Sequence, residues 1–156
     1  MRESLAAIRV ANMNHELRRH LPLLVLLLQP AATFATEPSP TPALDFAYYS
    51  THVEPLFLKK RAGHARCVVC HAGSTNAFHL QPLPAGSNTW TEEQSRRNFE
   101  TVSRLVTPGD PASSRLLLHP LAATAGGDRF HSGGRQFASQ DDPDWRILAD
   151  WVRNAR

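Results

Sequence analysis

The sequence predicts a small all-α domain with long loops, and three observations predict it. Apolar residues recur at spacings of three and four in several short segments. Breakers divide those segments, with 12 Pro and 8 Gly in the chain. Strand-like alternation is weak everywhere. The chain has 156 residues, one domain's worth by the usual range of about 100–200. That length excludes a barrel enzyme or a two-domain dehydrogenase.

The first element is a leader. Arg18, Arg19 and His20 precede an apolar run from Leu21 to Leu28, and small residues follow to Ala35. A basic region, a short apolar core and a small residue at the cut make a secretory signal peptide. The core is far shorter than the ~20 residues that span a bilayer. Residues 1–35 are assigned to this leader, with cleavage after Ala35, and a start at Met13 would give it a more usual length. A buried N-terminal helix and an uncleaved anchor are the competing readings. The implied location is outside the cytoplasm, most simply a bacterial periplasm, with no stable membrane insertion after cleavage. The formal charge is +3, but beyond the leader 13 Lys and Arg face 12 Asp and Glu. No basic stripe remains, so no nucleic-acid partner is expected.

Residues 36–43 form a Pro-rich linker, since proline fixes φ and removes donors. The folded domain is expected over 44–156. A first helix spans 45–62, with Phe46, Tyr49, Val53, Leu56 and Phe57 on one face. Pro55 inside it predicts a kink or a late start. Lys59, Lys60 and Arg61 close it at the negative end of the helix dipole, and Gly63 stops it. Residues 72–90 read as loop. Thr91-Glu92-Glu93-Gln94 is a capping box opening a second helix, whose apolar face is Phe99, Val102, Leu105 and Val106. Asp110-Pro111 opens a short helix through Leu118. Residues 122–140 are a Gly-rich loop. Asp142-Pro143 opens the last helix, carrying Trp145, Leu148, Trp151 and Val152.

One motif dominates the chemistry: Cys67-Val68-Val69-Cys70-His71. C-x-x-C-H is the attachment sequence of c-type haem. Each sulfur can add to one haem vinyl group, and the adjacent histidine then supplies the proximal nitrogen to iron. Both cysteines of the chain fall within the motif. Competing uses are a thioredoxin-like redox pair, a zinc site and a structural disulfide. A redox pair normally sits in a βαβ unit, which is absent from the pattern, and zinc needs further ligands.

The sixth coordination position is open to fewer residues than usual. The only methionines are Met1 and Met13, both in the leader, so a distal ligand from the mature chain is His or, less favoured, Lys. His64 is too near the attachment site to reach the opposite face. His52 lies on the first helix, and His79 leaves a short span for circling a macrocycle. His119 and His131 are far enough along the chain. His131 is preferred, because glycines on both sides let the backbone approach a ring closely. His119 is second, and an open or water-bound iron is third. Trp90, Arg129 and Arg135 are candidates to meet the haem propionates, with surface or packing roles equally open to them.

These residues resemble the class I cytochrome c domain, and more closely the cytochrome-like domains of exported planctomycete and acidobacterial proteins. The resemblance covers about residues 46–153. It is carried by His52-Val53-Glu54-Pro55-Leu56-Phe57, by Arg66 with the attachment motif, and by Val106-Thr107-Pro108-Gly109-Asp110-Pro111 with Ser114-Arg115-Leu116-Leu117. His131-Ser132-Gly133-Gly134 and the closing helix with Trp145 and Trp151 complete it. The implied fold is a cytochrome c-like small helical domain whose long loops wrap a covalently bound haem. In class I cytochromes the distal ligand comes from a loop before the last helix, typically as Met, and here His131 fills that position. The resemblance implies one haem c, held by Cys67, Cys70, His71 and His131, in an electron carrier rather than a catalyst. Its partners would be redox proteins. The alternatives are a five-coordinate haem sensor or peroxidase-like domain, or a haem-free thiol or metal-binding module.

Overall fold

The computed structural model describes residues 43–155. The leader and all but the last residue of the linker lie outside the described residues. Local capping chemistry explains where most segments begin. Asp45 caps α1 (Phe46–Tyr48), accepting from the Tyr48 amide. A π-helical turn follows (Tyr49–Val53), then α2 (Glu54–Leu58). The expected interruption at Pro55 thus takes a specific form. Proline has no N–H and clashes with the carbonyl four residues back. The widened turn absorbs this: the Glu54 amide donates to Tyr49, five residues earlier, and Pro55 falls in the first turn of α2.

The first helix ends earlier than the sequence predicts. Lys59 is its C-cap in extended conformation, so Lys59, Lys60 and Arg61 lie beyond it and do not serve its dipole. Lys59 and Arg61 instead reach across to Asp144, and Arg61 also to Asp142. The attachment motif itself forms a one-turn helix, α3 (Cys67–His71), which the apolar pattern does not announce. α4 (Glu92–Ser103) opens with the expected reciprocal bonds between Thr91 and Gln94. It stops three residues short of Val106. Leu105 leaves the helix and its carbonyl accepts from the Leu116 amide at 3.0 Å.

The next helix is split. Asp110 caps a 3-10 turn (Pro111–Ser113), and α5 (Arg115–Leu118) starts after an extended Ser114. Ser114 is fully buried. Its hydroxyl accepts from the Thr107 amide at 2.9 Å and donates to the Asp110 carbonyl at 2.7 Å. That knot competes with helix continuation. A second 3-10 turn (Ala123–Ala125) follows, and α6 (Pro143–Arg153) begins on the expected Asp142 cap.

Among the described residues there is no strand, only isolated bridges such as Leu121 with Phe137. The fold is small and mostly helical. No helix among the described residues is long and apolar enough to cross a membrane. The core joins the first and last helices: the Tyr49 and Trp151 rings lie 5.4 Å apart, and Trp151 Nε1 donates to the Asp45 carbonyl at 2.9 Å. Phe57 is buried in the same cluster and meets Tyr49 at 6.4 Å. Loop 120–137 is zipped at its base, where the Ala122 amide donates to Phe137 and the Gln136 amide to Pro120. His131 is carried on the excursion between.

Candidate functional site

Cys67, Cys70, His71, His119 and His131 all line one cavity of about 440 Å³. Sites for small ligands and cofactors run from about 300 to 1,000 Å³. The cavity lies between α3, the end of α5, the His131 loop and apolar side chains of the core, among them Phe57, Leu116 and Leu148.

Each of the two expected imidazoles has one nitrogen committed to a main-chain carbonyl. His71 Nδ1 lies 2.8 Å from the Phe78 carbonyl, and the Phe78 ring packs on the imidazole at 4.3 Å. His131 Nδ1 bonds the Gly134 carbonyl. A carbonyl only accepts, so Nδ1 carries the proton in both rings and Nε2 keeps the lone pair. This is the outer hydrogen bond that orients a metal-binding histidine. Burial pushes the His131 imidazolium down from its ordinary range, and neighbouring His119, His71 and Arg135 act in the same direction against its bond to Gly134. The neutral, metal-ready form is therefore favoured.

The two rings sit 6.4 Å apart, with planes 9° from parallel. Two metal–imidazole bonds of about 2 Å each, with about 1 Å from each nitrogen to its ring centre, place trans imidazoles about 6 Å apart. The observed centroid spacing is close to that length. Two thiols for the vinyl groups, two imidazoles and a large apolar-walled cavity are chemistry suited to haem c. Among the described residues no cluster of three or more His, Cys, Asp or Glu side chains could hold a bare metal ion.

The cysteines are free thiols. Burial raises the Cys67 thiol to about 11. An oxidoreductase needs the opposite, a lowered thiol that ionises readily. Cys67 therefore lacks the electrostatics of an attacking redox thiol.

The other histidines stand elsewhere. His52 stacks on Tyr48 at 4.4 Å, His79 Nδ1 bonds the Ser74 carbonyl, and neither they nor His64 line the cavity. Nor do Trp90, Arg129 and Arg135, the expected propionate partners. Trp90 is buried and donates to the Gln81 carbonyl at 2.7 Å, and Arg135 donates to the His119 carbonyl at 2.8 Å. Three arginines that sequence reasoning missed border the cavity instead: Arg61, Arg66 and Arg115. Arg61 is occupied by Asp142 and Asp144. Arg66, beside the motif, and Arg115, within Ser114-Arg115-Leu116-Leu117, had a signal in the sequence, but neither was assigned to the cavity.

Two glycines near His131 meet different neighbours. A Cβ at Gly127 would lie 2.0 Å from the Leu121 carbonyl oxygen, so this glycine serves a backbone–backbone approach rather than a ring. A Cβ at Gly133 would stand 3.3 Å from His131 Cε1.

No protein-family model, no curated protein and no solved structure matches the chain. The attachment motif and the small all-α fold fit a cytochrome c-like domain in general.

Proposed function

We propose that this chain is an exported monohaem c-type cytochrome that carries single electrons. The observation that supports it best is the pair His71 and His131, parallel at 6.4 Å, on the cavity that Cys67 and Cys70 also line. Cys67 and Cys70 would tether the ring through thioethers, and His71 and His131 would hold the iron. Haem supplies one-electron chemistry when bound. The protein orients both imidazoles through the Phe78 and Gly134 carbonyls. Its apolar wall, with Phe57, Leu116 and Leu148, would keep water from a bound ring.

Arg66 and Arg115 border the cavity and make no ion pair among the described residues. They are the cations free to neutralise propionates. Two imidazoles favour the ferric state more than a thioether would, so a potential lower than that of a Met-ligated cytochrome follows. The export reading rests on the leader sequence and on haem c attachment taking place outside the cytoplasm in bacteria. The kinship with exported planctomycete and acidobacterial domains rests on the Pro108-Gly109-Asp110-Pro111 and His131-Ser132-Gly133-Gly134 segments. Redox proteins are the partners this reading requires.

The test is expression with a haem-attachment system, followed by intact mass and a pyridine haemochrome spectrum. The expected result is a gain of one haem that survives denaturation, in a chain beginning at Thr36. A protein that leaves such a system without haem sinks the reading. A ferric spectrum that is high-spin, with fast binding of CO after reduction, replaces the carrier with a five-coordinate sensor or peroxidase-like site.

A further inference from the structure

We propose that His119, fixed by Asp128, is a positioning residue that sets the plane of the distal imidazole. The inference rests on the reading of His71 and His131 as iron ligands. The His119 and His131 rings meet edge to face, 5.0 Å apart at 75°, a directional contact. His131 has its own hydrogen bond to Gly134, but that partner is three residues away on the same loop. The bond travels with the loop and does not fix the ring relative to His71.

His119 itself stands outside that loop, at the end of α5, and binds two of the loop's residues, Asp128 and Arg135. It is the C-cap of α5, its amide bonded to Arg115. Its Nδ1 lies 2.9 Å from Asp128 Oδ2, and its carbonyl accepts from Arg135 Nη1. Asp128 is delivered by the approach that Gly127 permits: the Gly127 amide donates to Ala122 and the Asp128 amide to Leu118, both at 3.0 Å. No side chain would fit at Gly127. A continuous series of contacts thus runs from α5 through Leu118, Asp128 and His119 to the His131 ring.

An axial imidazole turns easily about its bond to the metal, so neighbours decide its angle. The planes of His71 and His131 stand 9° from parallel. In a low-spin ferric centre, parallel imidazole planes give a rhombic EPR signal, and crossed planes give one with a single very large g value.

The experiment is EPR of the ferric holoprotein, read beside its Soret spectrum, for wild type, His119→Ala, Asp128→Ala and Asp128→Asn. The wild type should be rhombic and low-spin. His119→Ala should stay low-spin with an unmoved Soret band while its EPR signal shifts toward the large-g form. Asp128→Ala should shift the same way, and Asp128→Asn, which keeps an acceptor for His119 Nδ1, should stay rhombic. An unshifted signal in His119→Ala overturns the proposal, as does high-spin iron there, which would make His119 a ligand. A large-g signal in the wild type overturns it too. If His119→Ala does not accumulate, the two variants at half-exposed Asp128 decide, and an unshifted Asp128→Ala is the contrary result. Failure of the two-histidine reading is distinguishable, because it appears in the wild type as high-spin iron or absent haem.

Discussion

His71 and His131 arrive at the cavity by opposite routes. His71 follows Cys70 on a one-turn helix, so its position is dictated by covalent neighbours and a carbonyl at Phe78. His131 sits on a loop and depends on Gly134 and His119. Loss of the distal ring should therefore leave haem attachment intact. His131→Ala should give a holoprotein whose spectrum turns high-spin and returns to low-spin on adding free imidazole; retention of a low-spin spectrum without imidazole would reject His131 as ligand. A second residue, Glu54, has no part in the cavity but is buried, with Ser95 and Asn98 donating to its carboxylate. Burial pushes its pKa up more than those donors pull it down. Its neutral form is the one the fold prefers. Its contribution to stability is full below the unfolded value, about 4.3, and is lost as pH rises through the higher folded value. The melting temperature of Glu54→Gln should gain on wild type between about pH 4 and pH 7. A difference that stays constant across that range contradicts the assignment.

The stretch just after α2 is held to the last helix by charge. Asp144, in the first turn of α6, receives Lys59 at 2.8 Å and Arg61, and Arg61 also pairs with the Asp142 cap. Asp144 and Arg61 are largely out of water, and Lys59 is half exposed. Removing one partner of a buried pair strands the other, at a cost of about 3–5 kcal/mol in full burial. For this partly exposed clamp Asp144→Ala should cost about 2 kcal/mol in urea unfolding of the holoprotein. A loss under about 0.5 kcal/mol would show that solvent screens the clamp. The caps of α4 and α6 were legible in the sequence because a cap is written within four residues: Thr91 with Gln94, Asp142 with Pro143. The Arg61 clamp was not, since its partners lie more than 80 residues away. Nor was the break at Ser114, which depends on a loop folding back to Thr107. The site divides the same way. The motif announced Cys67, Cys70 and His71, while the cavity role of Arg61 and the His119–Asp128 pair exist only through tertiary contact.

Part of the buried core, Phe57, Leu116, Phe137 and Leu148, is also cavity wall. Tyr49 of the π-helical turn packs on Trp151 of α6 and on Phe57 of α2, but α3 and α5 are single turns, too short to persist alone. They meet around about 440 Å³ of space. Empty volume costs about 24 cal/mol per Å³ in a closed apolar core, which would reach about 10 kcal/mol here as an upper bound. That is comparable with the entire stability of a small domain, about 5–15 kcal/mol. Water entering an open mouth lowers the cost without removing it. A bound ring would fill the space and join α3, α5 and the His131 loop through one rigid plate. The doubly substituted Cys67→Ala, Cys70→Ala chain, made without haem, should therefore keep much of its far-UV helical signal and lose its near-UV tertiary signal. The trend follows from geometry, because the Tyr49–Trp151 contact does not need the ring and the cavity walls do. Near-UV circular dichroism and amide exchange of that chain beside the holoprotein measure it. Exchange protection should survive in α6 and vanish at α3 and the His131 loop. Equal protection in both forms would mean that the cavity walls stand without the ring.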